Sequence, residues 1–352
     1  MKPKNIYDFH GLRNQAEYQE AHAWDIDHDI PWHLNIDMEK QFLPLDRDSV
    51  AFPDASYEQR LVLSQFMGLL VNATIAEMED VAVKIRDIAW RKALDSYPVN
   101  PEMYALGEQF FTEEAKHSQL FKKFNNLFCE SNNIDPKELD RLLPKAYGSQ
   151  FQKAIIKNAK AGGHAFWWVV AMVEEVALLI YQNLYKDRKS VDPLYFQIHK
   201  KHFEEESKHT NYAFLMLDLI KTRNKSLKQK VHNKLDLLYS ELFSIPWIVS
   251  ELNRVKLVKD FSEHNEFFKI LNSCLPLMQN LSTHELTSRL FVSAPYVSLI
   301  LNKHHHKLSA ATALSHKAIS IPRPSPKLSK SHHPKQLNLI SESTNEDIWS
   351  VA

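Results

Sequence analysis

The sequence predicts an all-helical protein, and three observations carry that expectation. Only 6 of 352 residues are glycine, too few for folds that rely on tight turns or phosphate-cradling loops. Apolar residues recur at helical spacing over long stretches. The prolines at 98, 101, 136, 144 and 193 fall before or between those stretches, where they cost a helix little.

Residues 1–55 are aromatic and acidic, with Trp24, Trp32, Pro31, Pro44 and Pro53. They are expected to form an ordered extension wrapping a helical domain over 56–302. Within that domain the first helix is predicted from about Tyr57 to Leu94, and the second from just after Pro101 to about Cys129. The third spans about Ser149 to Tyr185, and the fourth runs from after Pro193 to about Thr222. Further helices are predicted at 226–259, kinked near Pro246, and at 263–279 and 282–302. Residues 303–352 differ in kind. They carry a His304-His305-His306 run and four prolines, with no acidic residue from Lys303 to Ser341, so a disordered tail is expected.

Composition also excludes classes of function. The 43 basic and 43 acidic residues leave a formal net charge of zero, so no global field recruits nucleic acid or membrane. Two cysteines, Cys129 and Cys274, suit a reducing cytoplasm rather than a disulfide framework. No apolar leader opens the chain. The most apolar run, Ala165 to Tyr181, is interrupted by Glu174 and Glu175, which reads as a buried helix with functional carboxylates and not as a membrane span.

Chemistry enters through a repeated pattern. Phe111-Thr-Glu-Glu-Ala-Lys-His117 and Phe203-Glu-Glu-Glu-Ser-Lys-His209 each contain Glu-x-x-His, pairing Glu114 with His117 and Glu206 with His209. Residues i and i+3 share a helix face, so each pair can reach one ion. With 24 glutamates and 18 histidines in the chain, about one such motif is expected by chance, so placement matters more than count. Each motif follows a helix with acidic residues in an apolar stretch: Glu77 or Glu79 in the first, Glu174 or Glu175 in the third. The order Glu, Glu-x-x-His, Glu, Glu-x-x-His is that of ferritin-like four-helix bundles that hold two metal ions. His202 adds to it. His202, Glu206 and His209 are spaced i, i+4, i+7 and fall within roughly 60° on a helix. Four carboxylates and three imidazoles suit two divalent iron or manganese ions.

With these residues the sequence resembles the p-aminobenzoate N-oxygenase-like di-iron oxygenases over roughly residues 60–220. A third histidine one turn before the last Glu-x-x-His is that family's hallmark, here His202. The resemblance implies the ligand set Glu79, Glu114, His117, Glu175, His202, Glu206 and His209. It prefers Glu79 to Glu77, although the apolar face of the first helix lies closer to Glu77, and Glu175 to Glu174. It further implies two Fe ions, or an Fe/Mn pair, dioxygen as co-substrate, an external electron donor, and oxidation of a small organic substrate, an amine among the candidates. A homodimer is an open expectation. Three other classes share parts of this pattern. A radical-generating subunit like that of ribonucleotide reductase would carry a tyrosine where Phe121 stands. A fatty acyl desaturase leaves His202 unexplained, and an iron-storage bundle does not need the helices after residue 222. Phe110, Phe111, Phe121, Phe166 to Val170 and Phe203 flank the ligands and predict apolar walls around them.

Overall fold

The computed structural model describes residues 20–44, 54–95, 101–223 and 253–279, with single positions at 17, 52, 231, 235, 236, 239, 240, 247, 250 and 251. Four long helices build it: α1 (Tyr57–Arg86), α3 (Pro101–Ser131), α6 (Ala165–Lys186) and α7 (Pro193–Arg223). Shorter helices fill the connections and the end: α2 (Lys92–Asp95), α4 (Pro136–Leu142), α5 (Gln150–Lys160), α8 (Glu266–Ser273) and α9 (Leu275–Gln279). Among the described residues no strand is formed. The architecture is the ferritin-like one expected, with α1 packed along α3 and α6 packed along α7.

Local chemistry sets the helix ends. Ser56 caps α1 through a reciprocal box with Gln59, each side chain bonding the other's backbone amide. Asp135 caps α4 ahead of Pro136, and Ser149 caps α5. Three boundaries differ from the sequence reading. The first helix passes into a π-helical turn at Asp87–Arg91 before α2. The single helix expected over 149–185 is two, because the chain turns at Gly162-Gly163. Gly162 adopts φ 79°, in the left-handed region that favours glycine. The stretch Asn253–Asp260 is a 3-10 helix where an α-helix end was expected. Most of the 226–259 helix, the 282–302 helix and the 303–352 tail lie outside the described residues.

Part of the N-terminal extension docks on the bundle. Ser64 Oγ accepts from the amides of Phe42 and Leu43 at 3.1 and 3.0 Å, and Gln41 pairs with Val191 in an isolated bridge. Trp24 is buried against α3. The helices Tyr57–Arg91 and Ala165–Lys186 are long and apolar enough to cross a membrane by composition alone. In the fold most of each apolar window is buried inside the bundle, as in core helices.

The core falls into two apolar clusters. One gathers the first half of α1 (Leu63, Phe66, Leu70), the second half of α3 (Phe121, Phe124, Phe128), Leu184 of α6 and the start of α7 (Tyr195, Ile198). The other gathers the second half of α1 (Met78, Ile85), the start of α3 (Phe110, Phe111), the start of α6 (Phe166, Trp167) and the end of α7 (Tyr212, Met216). Glu79, Glu114, His117, Glu174, His202, Glu206 and His209 are buried where the two clusters meet. A polar layer in the middle of an apolar bundle is costly unless its charges are matched, which marks it as the place to look for chemistry.

Candidate metal centre

Each of the four long helices sends side chains into this layer. Glu79 comes from α1, Glu114 and His117 from α3, Glu174 from α6, and His202, Glu206 and His209 from α7. The atoms converge in two overlapping groups. Glu79, His117, His202 and Glu206 form one, and Glu114, His117, Glu206 and His209 the other, with the ligand atoms of each within 4.8 Å of one another. Glu206 is central. Its Oε1 lies 2.6 Å from His202 Nε2 and 2.9 Å from His117 Nδ1, and its Oε2 lies 3.2 Å from His209 Nδ1. Glu79 Oε1 is 3.1 Å from His202 Nε2, and Glu114 Oε1 is 2.9 Å from His209 Nδ1.

A second ring of contacts decides which imidazole nitrogen faces inward. His117 Nε2 lies 2.6 Å from Glu205 Oε2, and His209 Nε2 lies 2.7 Å from Glu113 Oε2. The two helices therefore brace each other: α7 orients the histidine of α3 through Glu205, and α3 orients the histidine of α7 through Glu113. Lys116 Nζ completes the first brace, 2.7 Å from Glu205 Oε1, while stacking 3.8 Å over the Trp24 ring. With Nε2–H donated outward, Nδ1 of each neutral ring is a lone pair aimed at carboxylate lone pairs. Six buried atoms here lack a hydrogen-bonding partner: Glu79 Oε2, Glu114 Oε1, both oxygens of Glu206, and Nδ1 of His117 and His209. Acceptors facing acceptors require a proton or a cation between them, and a divalent ion fits this donor set.

Protonation in the ion-free protein says the same. Burial opposes charge on His117, but its hydrogen bond to Glu205 and the nearby carboxylates of Glu206 and Glu79 outweigh it and raise it to about 10. Burial likewise opposes charge on His209, yet Glu206, Glu113 and Glu114 raise it well above its usual value. Glu79 is pushed up to about 7, chiefly by burial. Burial, and then the charges of Glu206 and Glu114, push Glu174 well above its usual value. Against its own burial, Glu206 is kept ionised by His202 and His209.

Seen against the sequence expectation, the structure brings Glu79, Glu114, His117, His202, Glu206 and His209 together. Glu77 points away, its Oε2 accepting from the amides of Ala146 and Tyr147 at 2.8 and 3.2 Å. On α6 the resemblance implies Glu175, and both Glu174 and Glu175 are buried. Glu174 is the carboxyl that meets Glu206 and Glu114, and Glu175 lies about 100° further around the helix. The bracing carboxylates Glu113 and Glu205 escaped the sequence reading, although a readable signal was present: each ligand glutamate is preceded by another glutamate in both copies of the motif.

Phe110 packs edge-on to His209 at 4.8 Å and Phe121 edge-on to His202 at 4.8 Å, while Trp24 stacks on His117 at 5.9 Å. Phe203 turns outward to Tyr181. A small cavity of about 20 Å³ touches the carboxylates Glu79, Glu114 and Glu174. Its other walls are apolar side chains of α1, α5 and α6, among them Met78, Phe151, Ile155, Phe166 and Val170. Phe166 to Val170 thus contribute walls as expected, whereas Phe151 and Ile155 come from a helix that the sequence reading did not separate.

The model of the p-aminobenzoate N-oxygenase AurF family matches residues 12–253. The chain belongs to that family. Membership makes it an oxidoreductase of the oxygenase type, and the matched span covers all four long helices. No curated protein matches the sequence. Among solved structures, an R2-like ligand-binding oxidase with an aerobically reconstituted metal cofactor after photoconversion is 13% identical, covering 90% of this chain and 94% of its own at a TM-score of 0.45. The same kind of oxidase with an aerobically reconstituted Mn/Fe cofactor after a long soak is 13% identical, covering 89% and 93% at a TM-score of 0.44. Both likenesses are too slight to transfer any residue's role to this family member.

Proposed function

We propose that this protein is a di-iron oxygenase that uses dioxygen to oxidise a small organic substrate, with N-oxygenation of an amine as the leading reaction. The single observation that carries the proposal is the pair of overlapping, fully buried ligand groups that share His117 and Glu206. Glu79, Glu114, His117, His202, Glu206 and His209 would hold the ions, each imidazole giving its one inward nitrogen to a single ion. Glu174 supplies the fourth carboxylate. Two iron ions, or an iron with a manganese, would supply the redox chemistry that no side chain here can perform.

The chain's own residues do the rest. Glu113, Glu205 and Lys116 hold the imidazoles in one orientation, so that an ion is met by preformed donors. The largely apolar cavity beside Glu79, Glu114 and Glu174 has a volume of about 20 Å³, the space of one or two water molecules. Glu174 can hold or return a proton at the cavity floor. For an amine the balance is one oxygen atom inserted into an N–H bond and the other reduced to water, with two electrons from an external donor and two protons.

The proposal is tested by elemental analysis and by oxygen uptake of the reduced, iron-loaded protein with a panel of small amines under labelled dioxygen. About two irons per chain and amine-dependent uptake, with label in the product, are expected. One zinc and no other transition metal, or mineral uptake of iron that no substrate accelerates, would overturn it.

A further inference from the structure

The lining of the cavity limits what the oxygenase can accept. Its polar side chains are the three carboxylates Glu79, Glu114 and Glu174, all at one end. Every other lining residue is apolar, and the surrounding core is the second apolar cluster, including Ile85, Phe111 and Trp168. The volume of about 20 Å³ is smaller than any aryl amine. An organic substrate must therefore displace side chains to enter. Widening into this cluster meets aliphatic and aromatic side chains and, among the described residues of the cluster, no cation.

Of the cations within two residues of a wall residue, Lys84, Lys153 and Lys157 are exposed and Lys116 pairs with Glu205. Lys84 lies 4.0 Å over the Tyr147 ring and 3.9 Å from Asp80. Lys145 pairs with Asp140 and lies 3.9 Å from Glu77. The free amides at the start of the α5 segment, those of Ala146 and Tyr147, are taken by Glu77. Among the described lining residues nothing can receive an anion. A carboxylate held against the apolar walls would lose its water with no partner.

We infer, resting on the oxygenase reading above, that the substrate is an amine without a carboxylate: an aryl or alkyl amine whose body beyond the nitrogen is apolar and uncharged. The p-aminobenzoate after which the family is described would then be a poor ligand of this member. The apolar walls take the body, and the carboxylate end of the cavity takes the nitrogen.

The test compares two probes of similar size, 4-methylaniline and 4-aminobenzoate, by calorimetric titration of the full chain loaded with Fe(II) without oxygen. The uncharged amine should bind at least about 100-fold more tightly, the order expected when a carboxylate is desolvated without a partner. Val173, a half-buried wall residue, provides the second measurement. Val173→Arg should narrow the preference to less than about tenfold by adding the missing cation. Equal or tighter binding of 4-aminobenzoate by the unaltered protein overturns the inference, and so does binding of neither probe. Iron content and oxygen uptake of the same preparation separate the two levels. A protein that holds iron and consumes oxygen with 4-aminobenzoate refutes only the substrate class, whereas one that holds no iron refutes the oxygenase reading and the inference with it.

Discussion

Replacing Glu205 with alanine isolates the reciprocal brace between α3 and α7. Glu205 accepts from Lys116 Nζ at 2.7 Å and bonds His117 Nε2 at 2.6 Å while almost wholly buried. Burial would raise its carboxyl, but the bond to His117 and the charges of His117 and Lys116 outweigh it and hold it down at about 2. A lowering from 4.5 to about 2 corresponds to roughly 3 kcal/mol in favour of the ionised form. Not all of that is lost in Glu205→Ala. Lys116 is 18% exposed and keeps the Trp24 carbonyl at 3.3 Å, so it finds water and an acceptor. His117 Nε2 is fully buried and finds neither. We expect the metal-free variant to lose about 2 kcal/mol of stability, the order of one orphaned buried donor. Metal affinity should fall by about 10- to 100-fold, because His117 is no longer held with Nδ1 inward. Glu205→Gln keeps an acceptor for Nε2–H and should lose less than about tenfold. The assay is anaerobic Fe(II) titration against a competing chromophoric chelator, with thermal melts of the metal-free proteins. If Glu205→Ala binds iron within twofold of the unaltered protein, the brace does not position His117 and the reasoning fails.

Three further outcomes are expected. Glu174→Ala should lower the iron content or weaken one ion, whereas Glu175→Ala should leave stoichiometry unchanged in elemental analysis; the reverse pattern would return the fourth carboxylate to Glu175. Metal binding at pH 7 should release more than one proton per chain, because His117, at about 10, and His209, raised well above its usual value, carry protons in the ion-free protein. Calorimetry in buffers of different ionisation heat counts them, and zero release would refute the protonated cluster. The sign follows for stability too: the raised His117 stabilises the metal-free fold fully below pH 6.5, and that contribution is lost as pH climbs through about 10. Finally, a methyl group at Gly107 of α3 would strike the Trp90 ring and the Tyr212 hydroxyl, which bond each other at 2.7 Å. Gly107→Ala should therefore cost about 1–3 kcal/mol in denaturant melts despite alanine's better helix propensity; a stabilised variant would show that this contact yields.

The sequence by itself determined the helical class, the order of the four long helices and the two Glu-x-x-His pairs. Those features are local. Spacing of i, i+3 and i, i+4 places Glu114 with His117, and His202 with Glu206 and His209, on one face of any helix that contains them. Proline and serine positions punctuate the helices just as locally. Choices between neighbours were another matter. The apolar periodicity of α1 points closer to Glu77, and only packing turned Glu79 inward and Glu77 toward Ala146. The same packing set Glu174 against Glu206. The break between α5 and α6 needed Gly162 in a left-handed turn, and that break delivers Phe151 and Ile155 to the cavity. The braces from Glu113 to His209 and from Glu205 to His117 join residues 96 and 88 positions apart. A pairing between two helices is a property of their crossing, and no spacing along either helix encodes it.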